Sequence, residues 1–104
     1  VSVDLSDKLI TQIRELARRH PIRSIVLFGS RARGDNHDAS DIDLAVFPLP
    51  GLNSRGLVSS EIDELATLLK IDVVFVEEQT DVVLLDRINR EGVVLYERSE
   101  PKTD

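Results

Sequence analysis

The chain contains no cysteine, methionine or tryptophan, and only three Phe and one Tyr. Without cysteine there is no disulfide staple, thiolate zinc site, iron–sulfur cluster or cysteine nucleophile. So few aromatic rings make a poor stacking platform for single-stranded nucleic acid. Basic residues are also short: 13 Lys and Arg against 19 Asp and Glu leave a net charge of −6. Bulk charge therefore does not grip nucleic acid, and any nucleotide must be held by local chemistry. No apolar run approaches the roughly 20 residues that span a bilayer. Val1-Ser2-Val3-Asp4 has no basic stretch leading into an apolar one, so a cytoplasmic setting is expected. What remains, 41% hydrophobic and 31% charged over 104 residues, suits one globular domain.

Hydrophobic spacing divides that domain into alternating helices and strands. Ser6 is placed to cap a helix running to about His20, because Leu9, Ile10, Ile13, Leu16 and Ala17 share one face, and Pro21 stops it. Ile25-Val26-Leu27-Phe28 reads as a strand buried on both sides and ends at Gly29. Ser30 to Ser40 is nearly free of apolar residues, a surface loop or short turn of helix. From Asp41 a second strand alternates Asp41, Asp43, Ala45 and Phe47 with Ile42, Leu44 and Val46. After a Pro48 to Ser54 linker, Val58, Ile62, Leu65, Ala66 and Leu69 predict a helix capped by Ser54. Ile71 to Val76 is a third strand. A helix capped by Thr80 or Asp81 then ends near Glu91, with Gly92 as a left-handed stop, and Val93 to Tyr96 is a last strand. The expected fold is α/β (α+β): a small mixed sheet flanked by helices, one domain over residues 1–97 and a polar, frayed tail over 98–104.

The chemistry concentrates in Gly29-Ser30-Arg31-Ala32-Arg33-Gly34 and Ser40-Asp41-Ile42-Asp43-Leu44. Gly29 allows a sharp turn that exposes backbone N–H groups, Ser30 adds a hydroxyl, and Arg31 and Arg33 carry forks of donors suited to phosphate oxygens. Gly29 and Gly34 have Walker spacing, but Asp35-Asn36 stands where Lys-Ser or Lys-Thr is required. No G-x-G-x-x-G dinucleotide fingerprint is present either. Asp41 and Asp43, two apart on a strand, project roughly 6–7 Å apart on one face. They repel unless a cation lies between them, and Mg²⁺ is bound by such carboxylates together with substrate phosphates. Asp72 is a third carboxylate, in an otherwise apolar strand, where a charge is expensive unless exposed or paired. If that strand neighbours the one bearing Asp41 and Asp43, the three carboxylates suit two metal ions and in-line displacement at phosphorus. Asp35, His37 and Asp38 read as loop-solvating residues. Arg14, Arg18, Arg19 and His20 read as a basic helix end facing the dipole and solvent, and Asp81, Asp86, Arg87, Arg90 and Glu91 as a wet helix face.

Gly29-Ser30, ten residues, Asp41-Ile42-Asp43-Leu44 and a later Asp72 resemble the nucleotidyltransferases that share the DNA polymerase β fold. The fuller string resembles the minimal nucleotidyltransferase (MNT) antitoxins of prokaryotic HEPN/MNT toxin–antitoxin systems, by motif over roughly Ile25 to Val76. The resemblance implies that Asp41, Asp43 and Asp72 are catalytic and bind two Mg²⁺ ions. It implies that Gly29 and Ser30, helped by Arg33, Arg31 and Ser40, contact the phosphates of ATP. It further implies that AMP passes to a tyrosine hydroxyl of a HEPN RNase toxin, with the acceptor supplied by another chain in a hetero-oligomer. A non-catalytic module that neutralises the toxin by binding, or a transferase acting on a small-molecule hydroxyl, are the alternatives.

Overall fold

A computed structural model describes residues 3–53, 55–65 and 67–99. Its elements are α1 (Asp7–Arg18), β1 (Ile22–Phe28), α2 (Ser30–Arg33), β2 (Ile42–Pro48), α3 (Arg55–Asp63), β3 (Ile71–Phe75), α4 (Val82–Glu91) and β4 (Val93–Glu97). The strands form one mixed sheet in the order β3-β2-β1-β4. β1 runs antiparallel to β2 and β4, and β2 runs parallel to β3. Among the described residues no helix is long and apolar enough to cross a membrane.

Strand alternation sorts the core into two layers. Ile25, Leu27, Ile42, Leu44 and Val46 pack with Leu9, Ile13 and Leu16 of α1 and Val58 and Ile62 of α3. Val26, Phe28 and Ala45 face the other way, onto Ile88 of α4. Both faces of β1 and β2 are therefore covered, which is why these strands read as nearly continuous apolar runs. Ser6 caps α1 as expected, its Oγ accepting from Leu9 N–H at 3.1 Å. Asp81 caps α4 by accepting from Val83 N–H at 3.1 Å.

Three expectations are corrected. The helix predicted to reach Leu69 ends at Asp63. Tight turns from Glu64 N–H to the Glu61 carbonyl and from Leu65 N–H to the Ile62 carbonyl close it, although Leu65 and Leu69 still pack on the core. The Ser54 cap and Ala66 lie outside the described residues. Gly92 is extended (φ −67°, ψ 143°), not left-handed. A glycine is needed there for room, because a Cβ would press on the Ile88 carbonyl oxygen and a Val26 methyl. Arg98, assigned to the polar tail, is anchored: its guanidinium donates to the carbonyls of Ile22, Ala17 and His20 at 2.7–3.2 Å.

The basic end of α1 also has structural partners. Arg14 Nε donates to the Leu95 carbonyl at 2.7 Å. Glu61 of α3 accepts from Arg19 at 2.9 Å and lies 3.0 Å from His20 Nε2. These contacts, Arg19 first, hold the Glu61 carboxyl below the ordinary carboxylate range. A carboxyl lowered in this way stabilises the fold above its unfolded pKa, and the contribution is lost as pH falls through the folded value. Melting curves of Glu61→Gln should therefore lose less than wild type between roughly pH 5 and pH 3 and meet it at the acid end. Parallel pH profiles would refute that link.

Candidate active site

The candidate site lies on the α4 face of the sheet, at the end where β1 finishes and β2 and β3 begin. Asp43 pairs in register with Phe28 of β1 on one side and with Asp72 of β3 on the other. Residues in direct register on neighbouring strands point to the same face, so the parallel β2–β3 pairing aligns two carboxylates 29 residues apart in the sequence. Asp41 is exposed, just ahead of β2.

Gly29 bridges β1 to α2 and sets the other wall. Its φ of 78° and ψ of −158° fall in a region that only glycine occupies readily. A Cβ there would press on Asp43 Oδ2 and sit 3.2 Å from the carboxyl carbon. The turn is therefore closed down directly on the carboxylate. Ser30 opens α2, where the first N–H groups of a helix have no intrahelical acceptor. The carbonyls of Gly29 and Ser30 are used inward, accepting from Ala32, Arg33, Gly34 and Asp35.

The electrostatics mark Asp43 as the centre. Burial, then the like charges of Asp72 and Asp41, raise its carboxyl above the ordinary carboxylate range, against smaller opposing effects of Arg87 and Arg33. Asp72 is 43% exposed, with Lys70 Nζ 3.4 Å from its Oδ1. Among the described residues, no three His, Cys, Asp or Glu side chains converge as a preformed metal shell. The three carboxylates meet through charge at Asp43 and not as a closed cage. The donor set still fits a hard divalent cation, since all are carboxylate oxygens and Mg²⁺ takes much of its shell from water and phosphate.

The arginines divide. Arg33 is at the rim, donating to Asp35 at 3.1 Å and to Glu91 at 3.0 Å, so phosphate contact requires it to exchange acidic partners. Arg31, expected to reach phosphate, is corrected: it is only 4% exposed. Its five N–H donors meet Ser40 O, Asp4 O, Asp4 Oδ2, His37 O and Asp38 O. None remains for a ligand. Ser40 is turned to the same task, its Oγ accepting from His37 N–H at 2.8 Å. Conversely, Arg87 and Glu91, read from the sequence as a wet helix face, belong to the rim. Arg87 acts on Asp43, and Glu91 holds Arg33. Their i,i+4 spacing marks a helix face but not what that face overlooks.

The family model described as "Polymerase beta, Nucleotidyltransferase" matches residues 11–101. The chain belongs to this nucleotidyltransferase family. The mixed sheet with flanking helices is the family's fold, and the Gly-Ser turn and paired aspartates lie inside the match. A Methanocaldococcus jannaschii protein, named provisionally as a protein adenylyltransferase, is 38% identical over 47 residues, covering 38% of this chain and 55% of that one. The chain thus matches about half the length of this curated relative. Among solved structures, a chain of a toxin–antitoxin complex with AMP-PNP is 27% identical with a TM-score of 0.62, over 86% of this chain and 73% of that one. A chain of an MntA-HpeT toxin–antitoxin variant is 26% identical with a TM-score of 0.64, over 91% and 75%.

Proposed function

We propose that this nucleotidyltransferase is an antitoxin that uses Mg²⁺ and ATP to transfer AMP to a tyrosine hydroxyl of a HEPN RNase toxin, in a prokaryotic cytoplasm. The observation that carries the reading is the in-register pair Asp43 and Asp72 with the Gly29 turn packed on Asp43, a carboxylate pair and a phosphate turn in direct contact. The likeness to chains from toxin–antitoxin complexes, one with AMP-PNP, and to the archaeal relative supports the nucleotide and the protein acceptor.

In the proposed reaction the acceptor oxygen attacks the α-phosphorus, the bond to the bridging oxygen breaks, and pyrophosphate leaves. Gly29 and Ser30 hold the β- and γ-phosphates through backbone N–H groups and the hydroxyl, with Arg33 assisting once released from Glu91. Asp72, 43% exposed on β3, accepts the hydrogen bond of the incoming hydroxyl, orients it and takes up its proton as the new oxygen–phosphorus bond forms. Asp41, Asp43 and Asp72 would hold two Mg²⁺ ions, which would supply charge neutralisation to the phosphates and acidity to the acceptor hydroxyl. Catalysis is then mainly alignment and electrostatics.

The test is a transfer assay with the purified protein, Mg²⁺ and the HEPN protein encoded beside it. Label from α-phosphate-labelled ATP is expected on the partner, and label from γ-phosphate-labelled ATP is not. The opposite pattern overturns the reading. Tight partner binding without any calorimetric heat for ATP and Mg²⁺ would instead leave a non-catalytic binding module.

A further inference from the structure

The two halves of the site, Ser30 and Asp41, are separated by ten intervening residues in the sequence, and something must fix their relative position. The β1–β2 ladder, with Phe28 opposite Asp43, and the close approach of Gly29 to Asp43 fix one end of this stretch. Arg31 ties the loop between them. We infer that Arg31 is a positioning residue, tying the turn that carries Gly29 and Ser30 to the loop that delivers Asp41 and Asp43, so that the carboxylates stand in the right place for a metal-bound triphosphate. The inference rests on the nucleotidyltransfer reading above and deepens it.

Residues 35–40, Asp-Asn-His-Asp-Ala-Ser, offer only the small Ala39 as an apolar side chain, so hydrophobic burial does little to hold this loop. Arg31 does so through three of its carbonyls: Ser40 at 3.0 Å, Asp38 at 2.9 Å and His37 at 3.3 Å. The same guanidinium takes the Asp4 carbonyl at 2.9 Å and its carboxylate at 3.1 Å, and Asp4 also accepts from Asn36 Nδ2 at 2.6 Å. The Ser40 carbonyl belongs to the peptide leading into Asp41. Fixing that peptide plane sets the direction in which the Asp41 side chain leaves the backbone and the point at which β2 begins. A buried guanidinium is costly unless every donor is satisfied. Here each one is, with Asp4, 62% exposed, as its carboxylate partner. The planar fork is essential, since a lysine ammonium brings three donors on one point charge and cannot reach carbonyls on both sides.

The test compares wild type, Arg31→Lys and Asp4→Ala by Mn²⁺ binding in the presence of ATP, followed by electron paramagnetic resonance, beside steady-state kinetics. Displacing a residue that orients metal ligands typically costs 10–100-fold in affinity or activity. Arg31→Lys is accordingly expected to weaken Mn²⁺ binding by about 10–100-fold and to lower kcat, with KM for ATP at saturating metal nearly unchanged. Asp4→Ala removes one arm of the clamp at an exposed position and should shift Mn²⁺ affinity several-fold in the same direction. A purely structural role would reduce the folded fraction without moving the Mn²⁺ midpoint, and that result overturns the inference. If Arg31→Lys does not fold, an unmoved midpoint in Asp4→Ala overturns it equally. Wild type that binds Mn²⁺ and ATP but transfers no AMP sinks the proposed reaction and leaves the positioning role to be decided by the binding data. Wild type that binds neither overturns both.

Discussion

Asp43→Asn is expected to lose AMP transfer by about 10³-fold while melting slightly above wild type. The loss follows from its place between Asp72 and the Gly29 turn, where a neutral amide cannot hold a divalent cation among phosphate oxygens. The gain in melting temperature follows from the sign of its perturbation. Burial first, then Asp72 and Asp41, raise the Asp43 carboxyl, so the folded protein binds its proton more tightly than the unfolded chain does. Its ionised form therefore costs stability above the folded pKa, and the cost vanishes as pH falls below the unfolded value. At neutral pH an isosteric amide removes it, so the melting temperature should rise. Thermal melts with and without Mg²⁺ and ATP check both halves: ligand should raise the wild-type melting temperature and leave the variant unmoved. The same raised pKa means that metal–ATP binding by wild type weakens on acidification at a higher pH than an ordinary aspartate would set. Full transfer activity in Asp43→Asn would remove the central carboxylate from the mechanism.

Gly29→Ala should damage both the fold and the candidate site with a single methyl group. The backbone at φ 78°, ψ −158° costs about 1–3 kcal/mol for any other residue. The added carbon also meets the Asp43 carboxyl, so either the turn or the carboxylate must move. A fall in melting temperature of roughly 5–15 °C is expected, with a loss of transfer on the order of 10²-fold in the molecules that remain folded. Ser30→Ala, one residue on, removes only a hydroxyl and should leave the melting temperature within about 2 °C while weakening ATP binding. Similar effects of the two substitutions on stability would show that the tight approach of Gly29 to Asp43 is not what the turn requires.

Much of the site could be read from the chain because its parts obey local rules. Asp41 and Asp43 interrupt an alternating strand, Gly29 ends an apolar run, and Asp72 is a charge in a β-branched segment. Each is a departure from what packing alone would select. The arginines could not be sorted the same way. Arg31 and Arg33 stand two apart in one short basic-looking turn, and composition gives both the same affinity for phosphate. Only their positions on the α2 turn separate them: Arg31 points inward onto loop carbonyls and Arg33 outward to Glu91. Arg87 and Glu91 read as a wet helix face for a related reason, since an exposed charged face of a helix looks the same whether it overlooks solvent or a cleft. The error at α3 has another cause. Leu65 and Leu69 keep helical spacing and do pack on the core, but the chain leaves the helix after Asp63 to turn back for β3.

By itself the sequence determined the alternation of helices and strands, the two-sided burial of β1 and β2, and a Gly-Ser turn followed by paired carboxylates. These depend on neighbours within a few residues and on periodicity. The tertiary structure alone decided that β3 lies parallel beside β2, which brings Asp72 level with Asp43. It also decided that the Gly29 turn closes on that carboxylate, and that Arg31 serves the loop and not the ligand. Register between strands and the direction of a guanidinium are set by contacts across the fold, where residues distant in sequence share one small volume.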